Sequence, residues 1–336
     1  MKHIEFARKA DAIVAVCAIM QLTNKFSRGN YMSLDSVHFK ASFSFLGLSE
    51  EDSRYEDAKA VILSAPYDST TSYRAGTREG PAAIIAASRQ VELFDLDLQC
   101  EPVTAGVHTL PELEPDMRGP EATLDNIENA VRAVVNDGKF PILLGGEHSV
   151  TTAPIKALKE KYGDSLSVLQ LDAHSDLRDS YENTPFSHAS VMRRVYDLAK
   201  ITQVGIRNTC RSEMEFIKKV GHDGIIWASE MADGNMAWVD RVMKRLGDNV
   251  YITIDLDAFD PSIMPAVGTP EPGGMLWYQT LHLLNRVIDE RNVVGFDVVE
   301  LCPLPGNIAS DFLAAKLVFK MLGRVFKKNG WIVEES

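Results

Sequence analysis

Cysteine is scarce in this 336-residue chain. The four present, Cys17, Cys100, Cys210 and Cys302, stand far apart, and no CxxC pair occurs. That excludes a zinc ribbon and a thioredoxin-type redox motif, and leaves the reduced thiols of a cytosolic protein as the plain reading. Long apolar runs are also lacking. The longest uninterrupted one, Ala12 to Met20, falls short of the roughly 20 residues that a membrane span needs. Lys2, Arg8 and Lys9 precede that run in the manner of a signal peptide, but Asp11 directly before it and Lys25 and Arg28 after it argue against one. Positive charge is short as well: 35 Lys and Arg stand against 47 Asp and Glu, a net charge of −12. Phosphate neutralisation needs clustered cations, so a nucleic-acid binder is excluded, whereas an acidic surface mildly steers cationic ligands inward. No Gly/Ser- or Pro-rich linker divides the chain and no repeat is visible. Residues 1–31 share no pattern with the rest of the chain, and a plausible start sits at Met32. They are expected to be an N-terminal extension, disordered or upstream of a misassigned start, with residues 32–336 forming one domain.

What remains is an ordinary globular composition, 45% hydrophobic and 24% charged, long enough for a sizeable core. From about residue 58 onward, short Val- and Ile-rich runs alternate with helical patterns. Strands are predicted at 60–65, 140–144, 167–171, 201–204, 224–227, 249–254 and 293–298. Helices are predicted at 80–90, 121–137, 150–161, 236–246, 276–289 and 310–326. Continuous apolar strands separated by helices indicate a mostly parallel sheet covered on both faces, hence an α/β fold of three α/β/α layers. Ligands in such sheets bind beyond the carboxyl ends of the strands.

Chemistry does cluster where predicted strands stop. Gly145-Gly146-Glu147-His148-Ser149 follows the strand ending at Leu144, and Asp172-Ala173-His174-Ser175-Asp176 follows the one ending at Leu171. Asp255-Leu256-Asp257-Ala258-Phe259-Asp260-Pro261 follows the one ending near Ile254. Residues two apart on an extended segment share a face, so Asp172, His174 and Asp176 converge if the strand continues, as do Asp255 and Asp257. One Asp after a strand is commonly a turn or helix cap; three such motifs with two imidazoles are a different matter. Carboxylates this close repel unless a cation neutralises them. The donor set is oxygen-rich with two imidazoles, which favours Mn²⁺, with Zn²⁺, Co²⁺ or Ni²⁺ as alternatives. Two such ions make a nucleophile at neutral pH, and hydrolysis at an electron-poor carbon is the reaction class.

The segments GGEHS, DAHSD, TIDLDAFDP and GTPEPGG, in order from Pro66 to about Pro303, resemble the ureohydrolase family, which includes arginase and agmatinase. Pro66-Tyr67-Asp68, Ser72-Tyr73-Arg74-Ala75-Gly76-Thr77-Arg78 and Gly80-Pro81-Ala82-Ala83-Ile84 resemble its agmatinase branch. The resemblance implies the arginase/deacetylase-like fold and two Mn²⁺ per subunit. His148 and Asp176 would hold one ion, His174 and Asp257 the other, with Asp172 and Asp255 between them. Glu147 departs from the Asp that many relatives carry there and is not implied as a ligand. Glu300, in Val298-Val299-Glu300-Leu301-Cys302-Pro303, would pair with the substrate guanidinium, a planar group that a carboxylate holds bidentately. Thr269 would line the same pocket. His188, in Phe186-Ser187-His188-Ala189-Ser190, would move protons, as imidazole is suited to do near neutral pH.

The implied reaction is hydrolysis of agmatine, a small cationic guanidino compound, to putrescine and urea by a cytoplasmic homo-oligomer, trimeric or hexameric. Leu177-Arg178-Asp179 stands where arginases carry an Asn for the α-amino acid end of arginine, so arginine itself fits less well. Guanidinobutyrate, guanidinopropionate, aminopropylagmatine and guanidine stay open, as do a non-catalytic relative and a one-metal deacetylase of the same fold group. Arg74 and Arg78 match no phosphate-loop pattern and are expected to make contacts within the chain or an oligomer, Asp260 to cap a turn, and His108 and His222 to be structural or superficial.

Overall fold

A computed structural model of the chain describes residues 43–332. The extension expected at 1–31 and the boundary at 32 lie outside the described residues. Eight strands form one sheet: β1 (Ala60–Ala65), β2 (Val107–Thr109), β3 (Phe140–Gly145), β4 (Leu166–Leu171), β5 (Lys200–Ile206), β6 (Ile225–Trp227), β7 (Asn249–Asp255) and β8 (Asn292–Val299). Their order is β2-β1-β3-β8-β7-β4-β5-β6, and every neighbouring pair is parallel. All carboxyl ends therefore lie on one edge. The seven predicted strands are present. The eighth, β2, escapes the sequence because it is a three-residue edge strand with only Val107 buried.

Among the described residues, eight helices cover the sheet: α1 (Gly80–Ser88), α2 (Pro120–Asn136), α3 (Thr152–Tyr162), α4 (Val191–Tyr196), α5 (Arg211–Val220), α6 (Trp238–Arg245), α7 (Trp277–Glu290) and α8 (Ala309–Lys328). Side chains of α1, α6, α7 and α8 pack into one apolar core, those of α2, α3, α4 and α5 into a second. Strands β1, β3 and β4 feed both cores with alternate residues: Ile62 and Leu63 of β1 sit in different clusters. This is the three-layer α/β/α arrangement. Helices α4 and α5 are absent from the sequence expectation. The first is six residues long, and the second buries only Glu213 and Ile217, too narrow a stripe to read as a period. Among the described residues, no helix is long and apolar enough to cross a membrane.

Two glycines bring the loops at the carboxyl edge into contact. A Cβ on Gly146 would lie 2.1 Å from the Tyr67 carbonyl oxygen, and one on Gly80 would lie 2.6 Å from that of Leu301. The loop after β3 is thereby laid against the loop after β1, with Gly146 N–H donating to Ala65 O and Glu147 N–H to Tyr67 O. The start of α1 presses on the loop after β8. Side chains at these positions would push apart the backbones that carry His148 and Glu300.

Candidate functional site

The loops after β3, β4, β7 and β8 deliver His148, then Asp172, His174 and Asp176, then Asp255 and Asp257, then Glu300. The structure brings all seven together, each of them buried except the half-buried His174. The route differs from extended alternation. β4 stops at Leu171, and Asp172 Oδ1 accepts the His174 N–H at 2.6 Å, which turns the chain. The same local bond recurs after β7, where Asp255 Oδ1 accepts the Asp257 N–H at 2.8 Å and Leu256–Ala258 forms one tight turn. A short carboxylate folded back on its own backbone is a known Asp habit, and here it converts two strand ends into donor-bearing turns. Asp176 completes the first turn with φ +53° and Glu300 sits at φ +66°, both in the left-handed region that side chains rarely adopt. Strain of this kind, about 1–3 kcal/mol each, persists where surrounding structure imposes it, typically at functional sites.

His148 is fully buried. Its Nδ1 lies 3.0 Å from Asp172 Oδ2, 3.1 Å from Asp176 Oδ2 and 3.4 Å from Asp255 Oδ2. Yet that nitrogen has no partner in hydrogen-bonding geometry. Its other nitrogen, Nε2, is 2.9 Å from Thr253 Oγ1, which in turn is 3.3 Å from Thr151 Oγ1. Behind these lies fully buried Asp297, whose Oδ2 accepts the Tyr251 hydroxyl at 2.8 Å. His174 Nδ1 is 2.9 Å from Asp257 Oδ2, while Asp257 Oδ1 accepts the Ala173 N–H at 2.9 Å. Two donor groups result, His148/Asp172/Asp176 and Asp172/His174/Asp257, each with ligand atoms within 4.8 Å of one another and sharing Asp172.

The electrostatics fit a cation. Burial, then the charge of Asp172, pushes Asp176 up to about 7; burial, then Asp257 and Asp172, pushes Asp255 well above the carboxylate range. Against its own burial, the adjacent imidazoles of His148 and His174 hold Asp172 low. The protein's own groups disfavour ionisation of Asp176 and Asp255. Divalent ions would favour it, and the orphaned Nδ1 of His148 faces the space where one would be bound.

Glu300 Oε1 accepts the His148 N–H at 2.7 Å, and the Glu300 N–H donates to Gly146 O at 2.7 Å. Burial, then the charge of Glu147, raises its carboxyl well above the usual range, so a cationic partner is the missing component. Thr269 is exposed on the rim of a cleft of about 210 Å³ that Glu300 and the donors other than Asp172 line. His188 lines it too, half-buried. Burial, the largest cause, then nearby positive charge including that of Arg178, pushes its imidazole below the usual histidine value, to about 4.

Sequence reasoning missed several cleft residues: Tyr73, Arg178, Tyr181, Cys210 and Glu213. The Arg178 guanidinium lies 4.4 Å over the Tyr181 ring, and the Tyr181 and His188 rings meet edge-on at 5.9 Å. Buried Glu213 accepts from Ser175 Oγ, Leu177 N and Cys210 N, each at 2.8 Å, tying the start of α5 to the loop after β4. An acidic residue in the first turn of a helix is a readable signal, but only once the helix is seen. Of the two arginines read as contacts, Arg78 pairs with buried Asp68 (Nε to Oδ1, 2.5 Å) and Arg74 donates to Pro303 O at 3.2 Å from the cleft wall. Asp260 caps its turn, accepting from the N–H of Ser262, Gly273 and Gly274. His108 and His222 bind Ser53 O and Gln203 Oε1, outside the cleft.

The sequence model described as the Arginase family matches residues 58–323. An N(1)-aminopropylagmatine ureohydrolase from Synechocystis is 37% identical over 311 residues, covering 90% of this chain and 97% of the relative. An agmatinase from Pyrococcus horikoshii is 35% identical, covering 80% and 92%. The crystal structure of an agmatine ureohydrolase from Thermoplasma volcanium superposes with a TM-score of 0.77 at 32% identity, covering 89% of this chain and 98% of that one. The chain belongs to the arginase family of ureohydrolases, hydrolases of C–N bonds in linear amidines.

Proposed function

We propose that this ureohydrolase uses two manganese ions to hydrolyse agmatine to putrescine and urea. The observation that carries the reading is the pair of donor groups joined by Asp172, with the strained carboxylate of Glu300 across the same cleft. His148 and Asp176 would hold one ion, His174 and Asp257 the other, and Asp172 and Asp255 both. Hard carboxylates mixed with imidazole suit Mn²⁺. When bound, the ions supply water activation at neutral pH and positive charge for the developing tetrahedral carbon.

The chain's own residues do the rest. Glu300 docks the planar guanidinium bidentately, its backbone fixed by Gly146 and one oxygen held by the His148 N–H. That bond orients the guanidinium carbon toward the donor cluster and excludes water from one face. Both protons of the consumed water end on the leaving nitrogen, giving RNH₃⁺ and urea. His188 accepts a proton in the cleft and returns it to that nitrogen. Thr269 and the rim meet the tail of the substrate. The relatives favour a second reading, aminopropylagmatine, since three at 37–38% identity carry that name against 35–36% for the agmatinases. We take residues 32–336 as one catalytic domain working as a cytoplasmic homo-trimer or homo-hexamer, for which light scattering is the check.

The deciding experiment measures urea release by the Mn²⁺-loaded protein across agmatine, aminopropylagmatine, guanidinobutyrate, guanidinopropionate, guanidine and arginine. Agmatine leading the panel supports the proposal, aminopropylagmatine leading it replaces the substrate, and a metal content near one ion per chain sinks the two-ion site.

A further inference from the structure

Glu147 is longer by one methylene than the aspartate many relatives carry there, and the extra reach is used. Its Oε2 accepts the Thr70 N–H at 2.6 Å, and its Oε1 accepts both the Thr70 hydroxyl at 2.6 Å and the Ser149 hydroxyl at 2.5 Å. Thr70 belongs to the loop after β1, 77 residues away in sequence. On its far side it meets His188. The His188 N–H donates to Thr70 Oγ1 at 3.1 Å, and His188 Nδ1 lies 3.4 Å from the same oxygen.

A threonine hydroxyl has one proton to give. Here a buried carboxylate oxygen at 2.6 Å takes it, so only lone pairs of Oγ1 remain for His188. The His188 N–H and Nδ1 then both act as donors toward that oxygen, with Ser187 Oγ, also 3.4 Å from Nδ1, as a second acceptor beside it. Nδ1 carries the proton in this arrangement, which leaves the lone pair on Nε2 of a residue that lines the cleft. Tyr181 packs edge-on against the imidazole with an interplanar angle of 90°. The set reads in one direction: Glu147 orders the hydroxyl of Thr70, and the hydroxyl orders the tautomer of His188.

From this geometry we propose that Thr70 is a positioning residue for His188, holding its imidazole in the Nδ1–H tautomer with Nε2 facing the substrate. The inference rests on the proton-moving role given to His188 above. It assigns Thr70 no contact with substrate or metal. Positioned proton transfer is worth about 10²–10⁴ in rate, and loosening rather than removing the group forfeits part of that.

The test is a double-mutant cycle on the Mn²⁺-loaded enzyme with the best guanidino substrate, scored on kcat, KM and metal content. Thr70→Val, which keeps the shape and deletes the hydroxyl, is expected to lower kcat about 10- to 100-fold. KM and metal content should hold, and Thr70→Ser should restore the rate. In a His188→Asn background the same Thr70→Val change is expected to cost nothing further, because its effect passes through the imidazole. Unchanged kcat in Thr70→Val overturns the proposal, and so does an equal loss with and without His188. If His188→Asn itself keeps full kcat, the proton-moving role fails and takes this inference with it, a result distinct from the other two. Thr70→Ala, read in the same two backgrounds, serves if the valine variant does not fold.

Discussion

The floor and the rim of the cleft are built by opposite rules. On the floor, all the donors but half-buried His174 are buried, and four carboxylates are bound to fixed backbone: Asp172 to the His174 N–H, Asp255 to the Asp257 N–H, Asp257 to the Ala173 N–H, and Glu300 to the His148 N–H. These carboxylates spend one oxygen on the chain and turn the other toward the cluster, so their positions are set before anything binds. The rim is made of loop side chains that are exposed or half-buried. Tyr73 is 83% exposed, and Arg178 and Tyr181 are held mainly by stacking on each other. Preorganised dipoles in a water-poor site supply catalysis, whereas loops on a rigid scaffold vary and choose the ligand. On the function proposed above, the floor would carry the reaction and hold the guanidinium, and the rim would choose among substrate tails.

The largest expected effect breaks the floor. Asp257→Ala should remove at least about a thousandfold from kcat/KM, the several kcal/mol of charge stabilisation that a bound ion contributes, together with one ion by elemental analysis. Retention of both ions and of activity would overturn the assignment of His174 and Asp257. Glu300→Gln should cost about 10- to 100-fold in kcat/KM, the 1.5–3 kcal/mol of a hydrogen bond to a charged group, with metal content unchanged. A drop in metal content instead would mean that Glu300 acts through the His148 loop. Thr253→Val deletes the partner of His148 Nε2, and metal affinity at that ion should fall about 10- to 100-fold by titration calorimetry, as loss of such a supporting bond typically does.

The rim sharpens the contrast through smaller effects. Tyr181→Leu and Cys210→Ala should leave metal content intact and change the ratio of kcat/KM between agmatine and aminopropylagmatine by up to about tenfold, the range of one lost or gained apolar contact. A thousandfold loss there would erase the distinction between the two regions. The smallest effect concerns the loop that carries Tyr73 and Arg74. Asp68, buried beneath it, accepts from the N–H groups of Gly76 and Arg78 and from the Arg78 guanidinium. Its own burial opposes ionisation, but these donors win and hold its carboxyl below the usual 3.8. A folded pKa below the unfolded one stabilises above the unfolded pKa, and that stability is lost as pH falls through the folded value. Asp68→Asn should therefore cost about 1–3 kcal/mol at pH 7 by denaturant unfolding, with the gap closing only below about pH 4. The Arg78 side chain is 57% exposed and solvent screens its share of that cost.

By itself the sequence determined the layers and the chemical inventory. Val- and Ile-rich runs placed seven of the eight strands, and three strand ends carrying His148, the Asp172–Asp176 set and the Asp255–Asp257 pair announced the floor, because donor residues at fixed short spacing survive as text. It could not give the way they converge. Asp172 and Asp255 fold back on their own backbones, and Asp176 and Glu300 take left-handed φ, conformations that neighbouring chain imposes. Nor could it show that burial lowers the pKa of His188 or that Thr70 stands between Glu147 and His188, since the latter joins segments 77 and 118 residues apart. The rim was the least legible. Arg178 and Tyr181, in the loop after β4, and Cys210, at the start of α5, carry no local signature, and α5 buries too few apolar residues to leave a periodic trace. Short-range spacing is written in the chain, whereas burial, strain and long-range pairing exist only once the sheet has brought its carboxyl ends to one edge.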